Sequence, residues 1–164
     1  MDETHDLGRL LTRLSEGGVE FILVGGLAAT APGSAHITFD LDVVYRRTPD
    51  NMKRLAATVA PINPYLRGAP EGLPFDFDAP TIKRGLNFTL QTELGDLDLL
   101  GEIAGGGTFD ELLADTEVVR VFDHDIRCVT LPRLIALKRA AGRRKDLNIL
   151  AELEALFEER ERQA

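Results

Sequence analysis

The sequence is short of several things, and each shortage excludes something. It holds one cysteine, Cys128, so an internal disulfide is impossible and a cysteine-rich zinc site is excluded. It has no apolar run long enough to cross a bilayer, although 44% of its residues are hydrophobic. Its first ten residues, MDETHDLGRL, lack the basic start and apolar stretch of a secretory signal, so a cytoplasmic location is expected. It lacks net positive charge: the formal value is −8 at pH 7. That opposes a broad nucleic-acid-binding surface, because phosphate affinity needs clustered Lys and Arg. Two local basic stretches remain, Arg46 with Arg47 and KRAAGRRK over 138–145. There is no internal repeat and no low-complexity segment. A chain of 164 residues with this balance is expected to form one globular domain over 1–164. Its core is expected over about 20–130 and a helical C-terminal segment over about 131–164.

What is present divides into helical and extended patterns. DLGRLLTRLSEGG has Leu7, Leu10, Leu11 and Leu14 on one helical face and stops at Gly17 and Gly18. VEFILVGG reads as a short strand buried on both faces. LAATA after Gly26 is helix-compatible until Pro32 and Gly33 break it. TFDLDVVY reads as a second strand, and TPDNMKRLAATVA as a helix capped by Thr48 with Pro49 at its first position. Residues 61–80 contain five prolines and read as a long irregular loop. LNFTLQTE and GDLDLLGEI alternate as strands, and TFDELLAD is a short capped helix. EVVRVF and IRCVTL flank Asp123, His124 and Asp125 as a tight hairpin. PRLIALKRAAG and KDLNILAELEALFEERER read as two closing helices. Strands and helices mix without strict alternation, so the expected class is α/β (α+β), a small mixed sheet flanked by helices.

In TFDLDVVY, alternate residues share a face. Leu41, Val43 and Tyr45 form a core face with Phe39; Asp40, Asp42 and Val44 form the other. The two carboxylates are then roughly 7 Å apart at the Cα level. Their repulsion can be answered by solvent or, better, by a hard divalent cation such as Mg²⁺, which shares carboxylate oxygens with substrate phosphates. Taken alone, an Asp-x-Asp pair is more often a solvated strand edge. Two features argue for chemistry: the preceding Gly25–Gly26 turn, and a third acid, Asp98, in the similar setting GDLDLL. An acid on one strand facing two on its neighbour would make a two-metal site for in-line phosphoryl displacement. The Gly-Gly turn lets backbone approach an anion at a helix start. It is neither a dinucleotide fingerprint nor a P-loop, because the third glycine and the Gly-Lys-Ser/Thr are missing.

Taken together, LVGGLAATAPGSAHITFDLDVV resembles the first motif of the DNA polymerase β-like nucleotidyltransferase superfamily: a Gly-Gly turn, a short helix, then a strand bearing Asp-x-Asp. LIALKRAAGRRKDLNIL is similar to the second signature of its small prokaryotic members, which include nucleotidyltransferase toxins of type IV toxin–antitoxin systems. The resemblance implies that Gly25 and Gly26 contact the phosphates, with Thr38 beside them. It implies that Asp40 and Asp42 hold Mg²⁺ (or Mn²⁺) and the NTP, and that Asp98 is the third metal carboxylate or the base for the acceptor hydroxyl. Lys138 would face the triphosphate, and Lys145 and Asp146 would complete the site. The implied partners are an NTP, an RNA or protein acceptor, and a cognate antitoxin-like protein. The sequence departs from the pattern at Ala28, where serine is frequent, and at His36, where arginine is frequent. Those departures support an alternative, a catalytically weak or inactive binding protein on the same fold. A third alternative, an Asp-x-Asp glycosyltransferase, is disfavoured by the short chain.

Other features carry bland expectations. Lys138 alone would be a snorkelling surface lysine. Arg143, Arg144 and Lys145 could complement a helix dipole or grip phosphate. Asp76 and Asp78 form a rival Asp-x-Asp in the proline-rich loop. Gly105–Gly107 reads as a flexible connector. Cys128 is expected in the core, and His5 and His124 on the surface.

Overall fold

The computed structural model describes residues 3–25, 40–142 and 162. In chain order its elements are α1 (Glu3–Glu16), β1 (Phe21–Leu23), β2 (Asp40–Tyr45), α2 (Pro49–Val59), β3 (Tyr65–Leu66), α3 (Ala79–Arg84), β4 (Phe88–Thr92), β5 (Gly95–Leu100), α4 (Phe109–Leu112), β6 (Thr116–Val121), β7 (His124–Val129) and α5 (Leu131–Ala141). The seven strands form one mixed sheet in the order β3-β4-β5-β2-β1-β7-β6. Two neighbouring pairs are parallel, β2 with β5 and β1 with β7. The expected mixed α/β class is what the chain adopts.

The sheet is buried on both sides. On one face α1, α2 and α3 bring Leu7, Leu10, Leu14, Leu55, Val59 and Ile82 against Leu23, Leu41, Val43, Leu97 and Leu99. On the other, α4 and α5 bring Phe109, Leu112, Leu134, Ile135 and Leu137 against Ile22, Val24 and Val44. Burying a Leu-sized side chain stabilises by about 1.5–3 kcal/mol, so these two layers hold the sheet. The helix signals operate as read from the sequence. Thr48 accepts a hydrogen bond from the Asn51 backbone N–H at the start of α2. Thr108 and Glu111 close a capping box on α4. Gly142 ends α5 in the left-handed region (φ 62°), its N–H donating to the Lys138 carbonyl.

Three expectations need correction. Residues 61–80 are not one irregular loop: they include the edge strand β3, and Pro80 lies in the first turn of α3. An aromatic ladder, Tyr65 to Phe75 to Phe77 to Phe88, packs the segment between onto the sheet. The hairpin turn is made by Phe122 and Asp123, both at positive φ, and His124 and Asp125 already belong to β7. Gly105–Gly107 is a packed turn, not a loose connector. A Cβ at Gly105 would lie 2.6 Å from the Ala140 Cβ, and one at Gly106 would lie 2.8 Å from Leu137. The glycines let α5 approach the turn. The LAATA helix and nearly all of the closing helix fall outside the described residues.

Candidate active site

The aspartates meet through strand register. Parallel pairing sets Asp40 beside Asp96 and Asp42 beside Asp98. Paired residues on adjacent strands project to the same face, about 4.8 Å apart. Four carboxylates therefore share one patch of the sheet, each only half-buried. Neighbours at that spacing repel by on the order of 1–3 kcal/mol, depending on the local dielectric. The intervening residues Leu41, Leu97 and Leu99 point the other way and are fully buried, which fixes the register. Beyond Asp42 the same face continues to Val44, under the layer that holds α5.

Gly25 is part of this patch. Its N–H and that of Val24 both donate to the Asp42 carbonyl, at 3.3 and 3.0 Å. A Cβ at position 25 would collide with the Asp42 carboxylate and come within 3.0 Å of the Asp42 Cβ. The glycine is what allows that carboxylate to lie against the turn.

A residue that carries no motif completes the patch. Arg67 follows β3, and its backbone N–H donates to the Thr89 carbonyl at 2.9 Å. Thr89 in turn pairs with Asp98. Arg67, Thr89, Asp98 and Asp42 thus form one row across four strands. The Arg67 guanidinium reaches along it: Nη2 donates to Asp98 Oδ1 at 2.8 Å and to the Leu90 carbonyl at 2.8 Å, and Nε lies 3.3 Å from Asp96 Oδ2. Asp96 was legible in GDLDLL by the same spacing as Asp40 and Asp42, but Arg67 had no local signal.

The donor chemistry suits a hard cation, which takes carboxylate oxygens. Asp40 and Asp42 fit a cation that completes its shell with phosphates and water. Among the described residues no three acidic, His or Cys side chains are arranged to hold one ion together. Asp98, expected as the third metal carboxylate or as the base for the acceptor hydroxyl, accepts a hydrogen bond from Arg67.

The remaining candidates are placed as follows. Lys138 is half-buried near the end of α5, the helix that covers the same sheet face beyond Val44. Gly26, Ala28, His36, Thr38, Arg143, Arg144, Lys145 and Asp146 lie outside the described residues. Asp78 caps α3 by accepting from the Thr81 N–H, and the Thr81 hydroxyl first, then that N–H, hold its carboxyl below the usual range; its partner in the rival pair, Asp76, is on no strand. Arg46 is a structural clamp: it bonds Glu20 at 2.6 Å and Asp110 at 2.8 Å and lies over the Phe109 ring. Arg47 donates to the Tyr45 hydroxyl and to the Ile82 and Lys83 carbonyls. Cys128 is buried, as expected.

The chain matches no protein-family model, and no curated protein matches its sequence. Its structure is similar to a crystal structure from Thermotoga maritima described as a "putative nucleotidyltransferase". The TM-score is 0.56 at 14% sequence identity, over 89% of this chain and 88% of that one. No helix among the described residues is long and apolar enough to cross a membrane. At that identity the likeness establishes the architecture alone: this chain shares the fold of that structure.

Proposed function

We propose that the protein moves a nucleoside monophosphate from an NTP to a hydroxyl group, in a reaction that depends on Mg²⁺ or Mn²⁺. The observation that carries this reading is the register of Asp42 beside Asp98 on parallel strands, with Asp40 on the same face and Gly25 making room. The fold likeness supports the same chemistry at a coarser level. Asp40 and Asp42 hold the cation together with the NTP phosphates. When bound, the cation neutralises phosphate charge and stabilises the leaving pyrophosphate. Asp98 accepts the proton of the attacking hydroxyl as its oxygen bonds the α-phosphorus and the bond to pyrophosphate breaks. Lys138, with Gly26, Thr38, Lys145 and Asp146, completes the NTP site.

The acceptor is an RNA 3′ end, a protein side chain or a small molecule; the net charge of −8 disfavours a large RNA footprint. Thermal unfolding with each of the four NTPs, with and without Mg²⁺, tests the reading on wild type and Asp42→Asn. A ligand at 100 times its Kd stabilises by about 2.7 kcal/mol, a shift that is easily seen. One NTP with Mg²⁺ is expected to raise the melting temperature of wild type only. No shift with any NTP, or the same shift in the variant, overturns the assignment. Ala28 and His36 favour a second reading, a weak or inactive nucleotide-binding protein paired with an antitoxin-like partner. Nucleotide binding without pyrophosphate release would select it.

A further inference from the structure

We propose that β6 is a pairing edge for a second copy of this chain, the two strands meeting antiparallel about a two-fold axis at Val118. β6 ends the sheet, and among the described residues it pairs only with β7. The hairpin closes on Val121 and His124 across the turn of Phe122 and Asp123, so that pair exchanges its backbone hydrogen bonds. Bonded pairs then alternate down the ladder, Val119 with Ile126 and Glu117 with Cys128. The same alternation continues past its end, where the Thr130 N–H donates to the Asp115 carbonyl at 2.9 Å. Thr116, Val118 and Arg120 therefore direct their N–H and C=O groups away from β7, toward the open edge.

Nothing in the strand blunts that edge. TEVVRV contains no proline, glycine or lysine, and its register with β7 is unbroken by a bulge. The opposite edge of the sheet, β3, is two residues long and follows Pro64 directly. The outward groups are symmetric about Val118, and that symmetry selects the partner. A two-fold axis perpendicular to the sheet pairs Val118 with its own copy and Thr116 with Arg120, exchanging about six backbone hydrogen bonds. Centring the axis on Arg120 would set like charges face to face. In the Val118 register no like charges are opposed: Glu117 meets Val119, and Arg120 meets Thr116 while held by its own Asp125 at 3.1 Å. Val118, now 56% exposed, gains an apolar cross-strand neighbour, while Val119 and Val121 pack onto the core from the other face. Two strands, β1 and β7, separate β6 from β2, so the pairing does not depend on the chemistry of the acid patch. One strand pair is a small interface, so the dimer is expected to be weak and concentration-dependent.

The test is sedimentation equilibrium from micromolar to millimolar protein, with circular dichroism reporting the fold. Salt at about 0.15 M screens the repulsion between two chains of net charge −8. Wild type is expected to rise from the monomer mass toward twice that value. Val118→Pro removes an N–H that β7 does not use, so it is expected to stay folded and monomeric. Val118→Lys and Val118→Glu each place like charges across the axis; each is expected to be monomeric alone, and the two to associate when mixed. A wild type that stays monomeric throughout, undiminished association in a folded Val118→Pro, or no association between the two charged variants each overturns the proposal. The charged pair keeps the test decisive if Val118→Pro does not fold.

Discussion

At the residue scale the site is defined by what each position leaves room for. Gly25 has space for no side chain because the Asp42 carboxylate fills it. Gly25→Ala is therefore an overpacking change, expected to cost about 1–3 kcal/mol by urea denaturation. It should also weaken NTP·Mg²⁺ binding, since Asp42 must turn away. Unchanged stability would mean that the carboxylate does not rest against the turn. Cys128 behaves in the opposite manner, as a buried group without chemistry. Burial first, then the Glu117 carboxylate, push its thiol up to about 11 from 9.0. The native thiol should thus resist a disulfide reagent at pH 8 and react only on unfolding. Because the folded value is the higher one, the thiol's contribution to stability is fully present below pH 9. It is lost as pH rises toward 11, on the order of 2–3 kcal/mol in total. Rapid labelling of the folded protein at pH 8 would contradict this.

At the element scale the proline-rich segment shows how local composition can mislead. Its prolines suggested an irregular loop, yet Phe77, 5% exposed, stacks edge-on against Phe88 at 5.9 Å and ties the segment to β4. Phe77→Ala is expected to cost about 3–5 kcal/mol, measured by denaturant unfolding, and to loosen the edge that carries Arg67. A loss well below that range would show that the ladder is not part of the core. The contrast explains what could be seen in the sequence. The stripe of Leu7, Leu10, Leu11 and Leu14, the Thr48 and Thr108 caps and the alternation of β2 were legible because each depends on residues within a turn or a pleat of one another. The pairing of Asp42 with Asp98 was anticipated only as a possibility, since register between strands over fifty positions apart leaves no local trace. Arg67 was invisible for the same reason: its partners lie across two strands. Gly105–Gly107 was misread because the need for Gly105 and Gly106 comes from Ala140 and Leu137 of α5, and that for Gly107 from Glu111 of α4.

At the scale of the whole molecule, the strands that carry the aspartates are held by parts of the chain distant in sequence. β1 lies between β2 and β7, and its parallel pairing with β7 joins Leu23 to Cys128. Parallel contacts of that separation must overcome a large loop-closure entropy before they stabilise anything, so folding is expected to be slow, in the millisecond-to-second range by stopped-flow. The layer over Ile22, Val24 and Val44 is completed by Val129, Leu131, Leu134, Ile135 and Leu137, all of them after β6. Removing residues 116–164 would take away β6, β7 and α5 together. It would expose three side chains that are now 0–3% exposed. Each would forfeit about 1.5–3 kcal/mol of burial, and β1 would become an unprotected edge. Since a domain of this size is stable by only about 5–15 kcal/mol, the truncated chain is expected to lose its cooperative unfolding transition in circular dichroism. A cooperative melt in residues 1–115 would show that the acid-bearing sheet is self-sufficient. Its absence would mean that Asp42 is held in place by Val44, and Val44 by a helix that begins almost ninety residues later.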